Sequence, residues 1–187
     1  MAVKSNFIEP TGVKDLWVIN PIVYGDERGY FYEVYNEAVF KKYDLLYHFV
    51  QDNESYSSYG VLRGLHFQVN PYSQSKLVRV AQGKVLDVAV DLRSDSPTKG
   101  KWFSTILSAE NRKQMLIPQG FAHGFVVLSK TAKFIYKCDN PYSKAHDSGI
   151  AYNDPALNID WMIPPEDMIV SEKDKNQPLM KDAIHNF

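Results

Sequence analysis

Cysteine is nearly missing from this chain. Among its 187 residues only Cys138 carries a thiol, so no intrachain disulfide can form, which suits a reducing compartment. Long apolar runs are missing too. No stretch approaches the roughly 20 residues of a membrane-spanning helix, and the amino terminus, MAVKSNFIEPTG, lacks the apolar centre of a signal peptide. A cytoplasmic location is expected. Neither sign of charge dominates. With a formal net charge of −1 there is no electrostatic case for binding a nucleic-acid backbone, and any anion site must be made by a few placed Arg and Lys. No glycine-rich dinucleotide fingerprint is present. Helix signals are sparse. YNEAVFKKYDL (35–45) can form one short helix, and SEKD (171–174), after the breaker IPPED, offers a serine N-cap with an acid three positions on.

What the chain does have is an ordinary hydrophobic content, 44%, and a large stock of aromatics: 12 Tyr, 10 Phe and 3 Trp. These favour strands and a lined pocket over a helical bundle. Apolar alternation at a period of two runs through the middle of the sequence. LVRVAQGKVLDVAVDL (77–92) holds two strand-like runs joined by a turn at Gly83. In the second run Leu86, Val88, Val90 and Leu92 share one face, and Asp87, Ala89 and Asp91 the other. WFSTILS, MLIPQGFAHGFVVLS and AKFIYKC read as further strands. Several short strands between turn signals predict an all-β sandwich or barrel in a single domain, 1–187, with a few short helices mainly near the C-terminus.

Two of the five histidines lie in strand-like apolar settings, His66 in VLRGLHFQ and His123 in PQGFAHGF. Taken singly, each reads as a hydrogen-bonded core histidine. Together, a histidine strand, a hairpin and then P-x-G-x-x-H on a later strand form the skeleton of a cupin double-stranded β-helix, or jelly roll. Metal-binding cupins carry H-x-H followed by Glu. Here Gln68 takes the second His position and SQSKLV brings no glutamate, so a metal-free site is expected. An imidazole not committed to a metal can serve as a general base. Lys76 opens the strand KLVRV and is either a solvated strand-end lysine or a charge stabiliser. Alternation in AKFIYKC groups Tyr136 inward with Phe134 and Cys138, opposite Lys133, Ile135 and Lys137, as packing or as a proton donor. Asp174 either supports a helix start or orients a base. Arg28 in DERGYFYE and Arg63 in VLRG are phosphate contacts or plain surface charges. Strict alternation sends Arg63 and His66 to opposite faces; a bulge or bend at Gly64 would restore a shared one.

The segments DERGYFYE, FVQDNESYS, GVLRGLHFQ, KLVRVAQGKVLDVAVDLR, SPTKGKW, IPQGFAHGF, YKCDNPYS, YNDPALNIDW and SEKD run in order from about Val18 to Leu179. As an ordered set they resemble the dTDP-4-dehydrorhamnose 3,5-epimerase family. The resemblance implies a jelly-roll cupin isomerase without metal or organic cofactor, acting on a thymidine-diphosphate 4-keto-6-deoxyhexose in dTDP-L-rhamnose and cell-surface polysaccharide biosynthesis. It implies a homodimer in which an amino-terminal strand joins the partner's sheet. Carried over by position, it makes His66 the proton acceptor, Asp174 its orienting partner, Tyr136 the proton donor on the opposite sugar face and Lys76 the group beside the C4 oxygen. Substrate contacts fall on Arg28 and Glu33, reaching the neighbouring subunit's site, and on Gln51, Asp52 and Asn53. Others fall on Arg63 for the diphosphate, His123 in the pocket, Lys173 from the tail and Tyr142 near the nucleotide. Many members carry a glutamate in an H-E-R-G-like segment; this chain has His146, Asp147, Ser148 and Gly149, which leaves Asp147 for that contact. Tyr30 replaces a common phenylalanine. The activity so implied is inversion at C3 and C5 through an enolate. Three alternatives stand beside it: an epimerase of one carbon only, a non-catalytic nucleotide-sugar-binding cupin, and a metal-dependent cupin, which Gln68 disfavours.

Overall fold

The computed structural model describes residues 7–187, and the start of the amino-terminal arm, MAVKSN, lies outside the described residues. Two sheets face each other. The first is ordered β1 (Ile8–Pro10), β2 (Trp17–Ile19), β10 (Gln114–Ile117), β7 (Lys76–Gln82), β12 (Thr131–Cys138) and β5 (Gln51–Ser58). The second runs β13 (Asp147–Gly149), β6 (Val61–Gln68), β11 (Phe121–Val127), β8 (Lys84–Asp91) and β9 (Trp102–Ser108). A short β14 (Ile169–Val170) lies parallel to β6. Between β5 and β12 the chain crosses from sheet to sheet at almost every step, which is the jelly-roll path expected from the sequence. A separate hairpin, β3 (Val23–Asp26) and β4 (Gly29–Tyr32), pairs with neither sheet. No helix among the described residues is long and apolar enough to cross a membrane.

One expected element divides. MLIPQGFAHGFVVLS is two strands, not one: β10 ends at Ile117 in the first sheet, and β11 starts at Phe121 in the second. Pro118 has no amide to give a ladder, so the strand stops there and the chain turns.

Alternation decides what fills the space between the sheets. On β12, Ala132 and Phe134 point inward, while Lys133 and Lys137 lie on the other face with Ile135. Val78, Val80, Met115, Val85, Ala89, Phe121, Phe125 and Val127 complete the core. Each buried Val, Met or Phe among these contributes about 1.5–3 kcal/mol of transfer free energy. On β8 the outward set, Leu86, Val88 and Val90, is buried as well, because the chain after Gly149 folds back and lays Ile150, Leu157 and Trp161 over it. Two indoles keep their polar ends satisfied there, Trp102 Nε1 donating to Leu157 O at 2.8 Å and Trp161 Nε1 to Tyr152 O at 3.0 Å. α1 (Glu37–Lys41), capped by the Asn36 side chain, covers the outside of the first sheet through Phe40, beside Ile19, Leu77 and Leu116. The core does not fill the whole interior. Beyond Phe125 and Phe134 the inward residues turn polar and a cavity opens.

Candidate active site

The cavity has a volume of about 540 Å³ and takes its walls from both sheets. Lys76, Phe134, Tyr136 and Ser55 come from the first sheet, Arg63, His66, His123 and Phe125 from the second, and Lys173 and Asp174 from the tail. His66 on β6 stands opposite His123 on β11 in the strand register. The same register pairs Arg63 with Phe125, so β6 takes three steps where β11 takes two. Gly64 sits in this irregularity with φ 142°, packed so closely on β11 that a Cβ there would lie 2.5 Å from Gly124 Cα. The break expected at Gly64 is present, and Arg63 and His66 line one cavity.

His66 Nε2 is 2.6 Å from Asp174 Oδ1, and the other carboxylate oxygen accepts from Gly64 N at 3.3 Å. The sequence places Asp174 there through a capped turn. Ser171 accepts from Asp174 N at 3.1 Å at the start of α2 (Glu172–Lys175), while β14 ties the tail to β6 through Ile169–Val61 and Val170–Leu62. Burial pushes the Asp174 carboxyl up, but its contacts with His66, Gly64 and Ser171 outweigh that and hold it below the ordinary value. The carboxylate is therefore ionised beside the imidazole.

A second pair lies deeper. His123 Nε2 is 2.7 Å from Asp87 Oδ1, with Asp87 fully buried. His123 is among the residues expected from the sequence and Asp87 is not; alternation groups Asp87 with Ala89 and Asp91, and the structure turns that face inward, between Val85 and Ala89. The sequence carries no signal that separates it from Asp91 on the same stripe. Burial raises Asp87 against the opposing pull of His123 and Lys76. Burial also lowers Lys76, opposed by Cys138, Asp87 and Asp147. The half-buried Tyr136 phenol is raised by burial, so its proton stays on near neutral pH.

The remaining expected residues divide between the cavity mouth and more distant surfaces. Arg63 is exposed and donates Nε and Nη2 to Ser57 Oγ, both at 3.2 Å. Asn53 pairs with Tyr136 across β5 and β12, and Gln51 donates to Asn53 Oδ1 at 2.9 Å while accepting from Tyr142 N at 2.9 Å. Lys173 Nζ and the Tyr142 hydroxyl both donate to Asp147 Oδ2, at 2.5 and 3.0 Å. The shorter acid thus gathers the group at the mouth. Asp52, one step along β5, turns to the outer face and pairs with Lys137 at 2.8 Å, outside the cavity of its own chain. Arg28 pairs with Asp26, and Glu33 accepts from Asn36; neither lines this cavity. Gln68 is spent on the loop scaffold, donating to Tyr72 O and Pro141 O and accepting from Ser143 N. Among the described residues no group of three or more His, Cys, Asp or Glu is arranged to hold a metal.

A cupin-type jelly roll whose two sheets turn histidine–carboxylate pairs, a lysine and a tyrosine into one cavity has the architecture of a carbohydrate epimerase. Comparison with known proteins makes that specific. The chain belongs to the dTDP-4-dehydrorhamnose 3,5-epimerase family, whose pattern matches residues 10–182. It is 51% identical over 174 residues to the dTDP-4-dehydrorhamnose 3,5-epimerase of Shigella flexneri, covering 92% of this chain and 95% of that one. The crystal structure of the enzyme of that name from Elizabethkingia anophelis superposes with a TM-score of 0.91 at 57% identity, covering 94% and 96% of the two chains. The dTDP-6-deoxy-D-glucose-3,5-epimerase of Legionella pneumophila, solved in complex with dTDP-4-keto-L-rhamnose, gives 0.90 at 47% identity, covering 94% and 93%.

Proposed function

We propose that this protein is a dTDP-4-dehydrorhamnose 3,5-epimerase, inverting C3 and C5 of dTDP-4-dehydro-6-deoxy-D-glucose to give dTDP-4-dehydro-L-rhamnose. The observation that carries the reading is the placement of an oriented base and a protonated acid on facing sheets. His66 is held by Asp174 on β6, and Tyr136 comes from β12 into the same cavity. Inversion needs that arrangement, because the proton must leave one face of the sugar and return to the other.

The C4 ketone acidifies the hydrogens on C3 and C5. His66 takes the proton, the C–H electrons move into the C4 carbonyl as an enolate, and Asp174 stabilises the imidazolium formed. The Lys76 ammonium faces the enolate oxygen; loss of one such donor typically costs about 2.7–4 kcal/mol of transition-state stabilisation. Tyr136 then protonates the carbon from the opposite face, with the electrons returning to the carbonyl. Atoms and oxidation state of the sugar are balanced; once His66 has released its proton to solvent and Tyr136 has taken one back, repetition at the second carbon completes the reaction. Arg63 at the mouth suits the diphosphate, and the Tyr142–Asp147–Lys173 group suits the nucleotide end.

The hairpin β3–β4 supports a homodimer. Tyr24, Tyr30 and Phe31 are 62%, 59% and 66% exposed, and the hairpin holds Arg28 outside its own chain's cavity, from where it would reach the site of a second subunit. The amino-terminal strand would pair with the partner's sheet in the same assembly. The buried thiol of Cys138 accords with a cytoplasmic enzyme. The test is product identity: proton NMR of the purified protein with dTDP-4-dehydro-6-deoxy-D-glucose should show the L-lyxo ketosugar. A product inverted at one carbon would make it a monoepimerase, and unchanged sugar that stays bound would make it a binding protein.

A further inference from the structure

One carboxylate of the site takes no part in this scheme. Asp87 is fully buried on β8, its Oδ1 lies 2.7 Å from His123 Nε2, and its Oδ2 has no hydrogen-bond partner. A buried carboxylate with an unspent oxygen is destabilising unless it is protonated, the direction in which burial pushes Asp87, or a positive charge accompanies it, the direction in which His123 and Lys76 pull. Two groups can supply that charge, an imidazolium at His123 or the ammonium of Lys76, which reaches the same cavity from the facing sheet.

The surroundings choose between them. Burial works against a charge on His123, and the nearby Lys76 and His66 add to that opposition, although Asp87 itself favours it. The groups that favour a charge on Lys76 are Cys138 from β12, Asp87 from β8 and Asp147 from β13. The Cys138 thiol is pushed up to about 11 by burial and stays neutral near neutral pH. Asp147 is already shared between Lys173 and Tyr142. That leaves Asp87. One ammonium, one carboxylate and one neutral imidazole also give the buried cluster zero net charge, which is the arrangement a desolvated site penalises least.

We propose that Asp87 is a positioning residue with two outputs: its Oδ1 fixes His123 in the tautomer protonated on Nε2, and its charge keeps Lys76 an ammonium at the substrate's C4 oxygen. The consequence is a division of labour. His123 is left with a lone pair on Nδ1, able to accept from a sugar hydroxyl and unable to donate to the enolate from that atom. Lys76 is then the cationic donor to the oxyanion. The inference rests on the epimerase reading for its meaning, but its charge states are measurable without turnover.

The experiment is a pH titration of ε-13C-lysine-labelled and 15N-histidine-labelled protein by NMR, with Lys76 assigned from Lys76→Met and His123 from His123→Gln. In the wild type, Lys76 should be charged at pH 7.5 and His123 neutral with its proton on Nε2. In Asp87→Asn, the Lys76 midpoint should fall by about 1–3 pH units. The alkaline limb of kcat should move down with it, while KM changes little. A neutral Lys76 or a doubly protonated His123 in the wild type overturns the proposal, and this arm stands even if Asp87→Asn fails to fold. A folded Asp87→Asn that lowers kcat evenly across pH, with the Lys76 midpoint unmoved, reduces Asp87 to a structural role. Failure of the epimerase reading itself would show separately, as wild-type protein with no turnover and unaltered titrations.

Discussion

Gly64 is a position where a single methyl group should harm both the fold and the site. The added Cβ would lie 2.5 Å from Gly124 Cα and 3.1 Å from His123 O, both backbone atoms that cannot swing aside. Carbon atoms in contact rest about 3.5–4.0 Å apart, so β6 and β11 would have to part by about 1 Å. Overpacking of that kind costs about 1–3 kcal/mol. A φ of 142°, which L side chains rarely adopt, adds about 1–3 kcal/mol. Gly64→Ala should therefore lose about 2–6 kcal/mol in urea unfolding, a large share of the 5–15 kcal/mol typical of a folded protein. Activity should fall further than the folded fraction does, because Arg63 and His66 flank the bulge and a displacement of about 1 Å at a catalytic group can cost about a hundredfold. Turnover measured where the variant is still folded separates the two effects. An alanine variant with an unfolding midpoint and turnover equal to wild type would refute the argument that this close approach builds the site.

Asp174→Asn should keep the fold and lose about 10²–10⁴-fold in kcat, because the His66 ring loses the carboxylate that orients it; near-normal turnover would remove Asp174 from the mechanism. The same residue makes stability depend on pH. Its carboxyl lies below the ordinary 3.8 in the fold, so its contribution is complete above that value and is lost as pH falls through the folded-state value. Thermal melts of wild type and Asp174→Asn should accordingly converge in the acid range and stay apart at neutral pH. Tyr136→Phe should impair completed inversion more than solvent deuterium exchange, and equal loss of both would mean that the tyrosine only packs. Lys173→Ala frees Asp147 from its ion pair at the mouth and should raise KM several-fold with little change in kcat.

Much of this architecture was legible because alternation on a two-sided sheet is a strong signal. β8 showed its two faces in the sequence, and β12 showed Tyr136 on the inner side between alternating lysines. The bulge at Gly64 followed from a conflict, since two residues wanted for one cavity stood an odd number of steps apart. Other features were hidden for definite reasons. The break between β10 and β11 comes at Pro118, and a reading by apolar periodicity alone runs straight across it. Asp87 looked like one member of a polar stripe with Asp91, and only the fold shows that Asp91 is spent on Arg93, Ser96 and Thr98 while Asp87 meets His123. Asp52 shows the opposite difficulty. Its motif neighbours Gln51 and Asn53 line up with the mouth network and the inner face, and the pleat sends Asp52 outward.

The central claim is proton exchange at two carbons by one cavity, and heavy water tests it most directly. Wild-type protein incubated with dTDP-4-dehydro-6-deoxy-D-glucose in deuterium oxide should place deuterium at both C3 and C5 of the product, and His66→Ala should abolish both incorporations while remaining folded. Deuterium at neither carbon with the wild type, or undiminished exchange with His66→Ala, would contradict the account.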